Sequence, residues 1–168
     1  MTRRQPFLAA RLQGLGTTVF AEMSALAQAT GSINLGQGFP DTDGPGEVAE
    51  AAVRAIRQGV NQYPPGPGAA ELRGAVSGHQ KRFYGLVADP DNEVLVTAGA
   101  TEALTAAVLA LCETGDEVLT FEPFYDSYTA AIALAGAQRR AVPLQPPDWS
   151  FDPDQLAAPS SRSRCRKP

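Results

Sequence analysis

Residues 94–104, VLVTAGATEAL, change character halfway: Val94-Leu95-Val96 reads as a buried strand, and Thr101 onward reads as a helix. The joint between them is Ala98-Gly99-Ala100. A helix that opens on the end of a parallel strand carries free backbone N–H groups and the positive end of its dipole, which together favour a phosphate. Gly99 and Ala100 keep side chains out of the way, and Thr101 adds a hydroxyl. The same residues also make a tight strand–helix joint with Thr101 as N-cap and nothing bound. Neither the Gly-Lys-Thr of a phosphate loop nor a G-x-G-x-x-G fingerprint is present. A second segment, EPFYDSY (122–128), follows the end of another expected strand, where ligand loops sit in α/β sheets. Pro123 stiffens it, and Phe124, Tyr125 and Tyr128 offer faces on which a flat heteroaromatic ring stacks, or which simply plug the sheet edge. Two loops, LGQGFPD (35–41) and NQYPPGPG (61–68), are too rich in Gly and Pro to be core, and Tyr63 stands in the second with a hydroxyl able to reach an anion.

Other chemistries find no support. The single histidine, His79, falls on the stripe of Leu72, Val76 and Phe83 and reads as a packed helix residue. No His/Cys/carboxylate cluster offers a metal site, and no nucleophile elbow supports a serine triad. Cys112 and Cys165 are no disulfide framework; Cys112 reads as a small buried thiol in a helix.

The elements that must position these residues follow from punctuation and period. Val19 to Ala29 is an amphipathic stretch, and 33–46 is an irregular loop. Helices are expected over Glu47 to Gln58, with Val48, Ala52 and Ile56 on one face, and over Ala69 to Tyr84. Strand 93–97 leads to helix 101–112, whose Leu104, Ala107, Val108 and Leu111 form an apolar face. Val118 to Phe121 is a second strand, Ser127 to Ala135 a helix, and Gln138 to Leu144 a third strand; FDPDQLAA begins a last helix. Alternating strands and helices imply βαβ units and a mostly parallel sheet with flanking helices. An open sheet edge predicts aggregation in isolation.

Composition is that of a globular protein, 43% hydrophobic and 19% charged over 168 residues. The net charge of −4 hides an asymmetry: the last nine residues, SSRSRCRKP, carry four cations and no acid, which leaves the rest of the chain at −8. An acidic body argues against nucleic acid. No apolar run spans a bilayer and the N-terminus shows no secretory h-region, so a cytoplasmic protein with no membrane partner is expected.

In this order INLGQGFPD, NQYPPGPGAAELRGAV, VLVTAGATEAL and GDEVLTFEPFYDSY resemble one family: the fold-type-I, pyridoxal-phosphate-dependent aminotransferases of class I/II. The subgroup looks like the kynurenine/glutamine/methionine aminotransferases and the actinobacterial N-succinyldiaminopimelate aminotransferase. The resemblance runs from about Thr17 to about Ala157. It implies an α/β fold, a partial three-layer large domain, with residues 1–46 as an N-terminal arm and loop, 47–158 as the N-terminal part of the cofactor-binding large domain, and 159–168 as a divergent basic tail. It implies that the amides of Ala100 and Thr101 hold the phosphate of pyridoxal 5′-phosphate and that Tyr125 stacks on its pyridine ring. Tyr63 would reach the phosphate held by the neighbouring subunit, which makes the site a property of a homodimer. Gly38 would lie against the substrate and Phe20 would help form its pocket, the substrates being an amino acid and a 2-oxo acid.

The chain also departs from the pattern. The family's Schiff-base lysine, the Asn-Pro motif, the aspartate that pairs the pyridinium nitrogen and the C-terminal arginine for the substrate carboxylate find no counterpart. The two lysines, Lys81 and Lys167, match none of them. No catalytic residue is therefore expected, and the chain reads as an N-terminal fragment, inactive alone, whose composition changes near residue 159 as a frameshift or premature stop would change it. The alternative is a non-catalytic module that binds a phosphorylated ligand or a partner.

Overall fold

Helix ends in this chain fall where the sequence supplies the means to end them. The computed structural model describes residues 7–38, 40 and 42–157. They form two compact units, one within 17–97 and one joining the described residues of 1–16 to those from 98 onward.

In the first unit, α1 (Val19–Thr30) opens on Thr18, whose hydroxyl accepts the Ala21 N–H at 3.2 Å, and closes on Gly31 in the left-handed region. That is a side-chain N-cap at one end and a glycine C-cap at the other. Helix α2 (Gly46–Arg57) carries Glu47 in its first turn and Arg54 and Arg57 in its last. Helix α3 (Ala70–Tyr84) carries Glu71 first and Lys81 and Arg82 last, before Gly85 at φ 68°. Both charge orders complement the helix dipole.

Two expectations for this unit fail. Residues 93–97 form no strand; the Val96 N–H donates instead to the Pro67 carbonyl at 3.0 Å. A strand exists only where a neighbour supplies a ladder, and among the described residues none lies beside this segment. Leu95 is correspondingly exposed. His79, expected inside, is exposed on α3, its ring 4.6 Å from that of Phe83. The apolar face of α2 is exposed as well, at Val48 and Ile56.

Among the described residues of this unit the buried side chain is instead Arg73, 9% exposed. Its Nε donates to the Gly68 carbonyl at 3.2 Å. Its Nη1 donates to the Pro90 carbonyl and, at 3.0 Å, to Asp91 Oδ1. Gly68 is buried too, at φ 101°, and a Cβ there would stand 2.5 Å from Val96 Cγ2, so only glycine admits this close approach. The loop before α3 and the loop after it are thus tied through one guanidinium.

The second unit holds a βαβ arrangement: β1 (Glu117–Glu122), α5 (Ser127–Leu134) and β2 (Gln138–Pro143). The strands are parallel, in register from Glu117 opposite Gln138 to Glu122 opposite Pro143. Preceding them is α4 (Ala100–Leu111), which packs against α5, and following them is the short α6 (Pro153–Ala157). A single turn of 3-10 helix, Ala10–Leu12, also packs on α5. The buried apolar residues Ala131, Ile132 and Val142 lie between α5 and β2. With two strands among the described residues, the sheet leaves much of the α4 apolar face uncovered: Leu111 is exposed, Leu104 and Val108 half-buried. Cys112 is the residue after α4 rather than part of it, and is half-buried.

Candidate cofactor site

The small-residue joint resolves into a defined geometry. Gly99, not Thr101, is the N-cap of α4, at φ 84° and ψ 174°, a region open essentially only to glycine. The first helical bond runs from the Ala103 N–H to the Gly99 carbonyl. The amides of Ala100, Thr101 and Glu102 therefore precede the helical ladder, as in any helix start. Glu102 folds back so that its Oε2 accepts the Ala98 N–H, a variant of the capping box that engages the one carboxylate of the first turn. A Cβ at Gly99 would meet nothing within 4 Å, so backbone conformation and not crowding calls for glycine there. Ala98, Thr101, Glu102 and Thr105 line a shallow groove at this end of α4.

That backbone conformation sets a first expected result. Gly99→Ala is strained whatever the space around it, at a cost of about 1–3 kcal/mol. Amide exchange in α4 should accelerate about ten- to hundredfold. Gly38→Ala, at an exposed glycine where a Cβ also meets nothing, should leave exchange unchanged. Equal behaviour of the two variants would refute the assignment of strain to Gly99.

The aromatic segment lies between the C-terminal end of β1 and α5. Tyr125 is 51% exposed, and its ring stands edge-on to Tyr128 at 6.1 Å between centroids. Phe124 stacks on Tyr128 at 6.4 Å. Immediately beyond Tyr125, Asp126 Oδ2 and Ser127 Oγ are buried without a hydrogen-bond partner among the described residues. Sequence reasoning passed over both, since a Ser or Asp at a helix start looks like an ordinary cap; here neither side chain caps α5. Orphaned polar atoms of this kind call for a ligand or water. The residues fit pyridoxal phosphate: amides ahead of the helical ladder suit an anion, and the half-exposed Tyr125 ring suits a flat ring.

Ala100, Thr101 and Tyr125 thus belong to one unit, in which α4 and α5 are packed neighbours. Phe20, Gly38 and Tyr63 belong to the other. Phe20 is half-buried in α1, Gly38 is exposed, and Tyr63 is 97% exposed in its Pro/Gly loop. Phe39 and Asp41 of the 35–41 loop, and the basic tail 159–168, lie outside the described residues. Among the described residues no group of His, Cys, Asp and Glu is arranged for a metal, and no helix is long and apolar enough to cross a membrane.

The α4 start and the aromatic segment belong to one compact unit of a mixed α/β chain. The chain belongs to the aminotransferase class I and II family, whose model matches residues 30–165. It is 59% identical over 148 residues to a probable N-succinyldiaminopimelate aminotransferase, DapC, of Mycobacterium tuberculosis, covering 87% of this chain and 37% of that protein. It is 48% identical over 158 residues to the methionine aminotransferase of Escherichia coli, covering 94% of this chain and 41% of that one. The solved structure of the Mycobacterium tuberculosis N-succinyldiaminopimelate aminotransferase matches with a TM-score of 0.85 at 56% identity, over 94% of this chain and 42% of that chain. The aspartate aminotransferase of Thermus thermophilus matches with a TM-score of 0.79 at 31% identity, over 89% and 40%. The chain therefore spans about two fifths of the length of these relatives. The family implies pyridoxal phosphate as cofactor.

Proposed function

We propose that this chain is the N-terminal part of a pyridoxal-phosphate-dependent aminotransferase that moves an amino group between an amino acid and a 2-oxo acid. The observation that carries the reading is the open start of α4, behind a glycine in a glycine-only conformation, in the same unit as the exposed ring of Tyr125. The amides of Ala100 and Thr101 hold the phosphate, and Tyr125 stacks on the ring. Tyr63 reaches the phosphate bound by a second subunit, so the working form is a homodimer. Phe20 and Gly38 face the substrate. When bound, the cofactor supplies an electron sink for the bond broken at the amino acid carbon. What this chain supplies is binding, orientation and charge complementarity. Residues 1–46 act as arm and loop, 47–158 as the first part of the large domain, and 159–168 as an added basic tail. The protein works in the cytoplasm.

Relatives named for different donors, N-succinyldiaminopimelate and methionine, match over nearly the same span. That supports a segment that carries the shared cofactor cradle rather than the choice of donor. By itself this chain is a cradle without a catalytic lysine.

Equilibrium binding of 4′-deoxypyridoxine 5′-phosphate, which has no aldehyde to react with amines, tests the reading. Tyr125→Ala should weaken it roughly tenfold, the worth of one aromatic stacking contact, and inorganic phosphate should compete. Saturable binding that phosphate does not displace, or no binding at all, would overturn the assignment.

A further inference from the structure

We infer that Arg139 of β2 is the positioning residue that holds the Tyr125 ring at its station, by pinning the segment on which that ring is mounted. The inference rests on the reading of Tyr125 as the stacking residue.

Arg139 stands opposite Val118 in the parallel register. Its guanidinium reaches along β1 toward the strand's C-terminal end. Nη1 donates to Thr120 Oγ1 at 3.2 Å and to Glu122 Oε1 at 2.7 Å. Its Cζ lies 4.2 Å from the centre of the Phe124 ring. One planar cation thus engages both residues that flank Pro123, one through a carboxylate and one through a ring face. Thr120, the middle contact, is buried, which fixes the guanidinium against a rigid part of the strand.

Tyr125 is the next residue. On its C-terminal side the Tyr128 N–H donates to the Tyr125 carbonyl at 3.1 Å, and Phe124 and Tyr125 both lie against the Tyr128 ring. The half-exposed Tyr125 ring is therefore held from behind by Arg139 through Phe124, and from ahead by the start of α5. Arginine suits this post because it can pair with a carboxylate and stack on an aromatic face at once; lysine offers a point charge with no plane to stack. The neighbouring Arg140 does different work: it donates to the Gln155 and Leu156 carbonyls at 2.7 and 3.3 Å and so ties α6 to β2. Its variant is the control.

The test uses the whole chain with two readouts. The first is a fluorine NMR line from 3-fluorotyrosine placed at position 125, which reports the ring with no ligand present. Arg139→Met should shift and broaden this line, Arg139→Lys should do so less, and Arg140→Met should leave it in place. The second is affinity for 4′-deoxypyridoxine 5′-phosphate. Arg139→Met should weaken it roughly tenfold and Arg139→Lys about threefold. In the Tyr125→Ala background Arg139→Met should add nothing, because both changes remove one contact. Phosphate affinity should be unchanged in each, a result that general loss of structure would not give. An unchanged fluorine line in Arg139→Met overturns the inference, and so does an additive double variant. If the parent chain binds no analogue while the line still responds to Arg139, the cofactor reading of Tyr125 fails and the positioning role stands.

Discussion

Arg73→Met is expected to destabilise the 17–97 unit by about 2–4 kcal/mol, through the carbonyls it abandons more than through the ion pair it breaks. Asp91 is 76% exposed at its side chain, so water takes over once the cation is gone. A pair exposed on one side contributes at most about 1 kcal/mol. The Gly68 carbonyl is different, because Gly68 is buried and loses its donor to a methionine that offers none; the half-buried Pro90 loses the same donor. Leaving a buried acceptor unsatisfied costs about 1–3 kcal/mol. Amide exchange in α3 should therefore accelerate about thirtyfold to a thousandfold, whereas Asp91→Asn should change it less than tenfold. Equal effects from the two variants would mean that the ion pair, not the carbonyls, carries the stability.

The acid limb offers a check on the same loop. The Asn92 side-chain amide first, and then the Asp91 N–H, hold the Asp89 carboxyl below the usual aspartate range; Arg73 contributes least. A depressed carboxyl stabilises above its unfolded pKa of about 3.9 and loses that contribution as pH falls through the lower folded value. Since Arg73 is the smallest cause, Arg73→Met should leave this acid dependence nearly intact.

Much of the architecture was legible because local chemistry decides it. The Gly and Pro residues around 59–68, 85 and 136 mark helix ends, and α2 to α5, β1 and β2 start and stop within a residue or two of where period and punctuation put them. Whatever depends on a distant partner was not legible. Segment 93–97 has the residues of a strand but no ladder partner among those described, so it forms none. Apolar period marks a face on α2 and α3, yet burial needs a surface to meet that face. Arg73 sits beside Leu72 and looks like a solvated charge; its burial follows from carbonyls of residues 68 and 90. Arg139 is equally plain in the sequence, and only the parallel register brings it to Glu122 and Phe124. Ala100, Thr101 and Tyr125 were legible as residue types at a helix start and in a loop. The glycine-only conformation of Gly99 and the orphaned atoms of Asp126 and Ser127 needed coordinates.

With cofactor added, this chain alone is expected to transfer amino groups no faster than the free cofactor does. Binding and ring stacking shift an affinity by roughly tenfold per contact. A positioned base accelerates proton transfer by about 10²–10⁴, so its loss outweighs any defect in the cradle. A base acts only within hydrogen-bond reach of the proton it takes, and must be held there. Lys81 is exposed in the last turn of α3, with no packing to hold it at a reacting atom, and Lys167 lies in the basic tail. A single-turnover assay that follows keto-acid release from an amino acid decides the matter. Lys81→Arg should match the parent chain, and both should match cofactor without protein. An acceleration that Lys81→Arg abolishes would make Lys81 the base and overturn the reading of this chain as a cradle alone. An acceleration that survives in Lys81→Arg but vanishes in Tyr125→Ala would show that orientation by this chain speeds the reaction without Lys81.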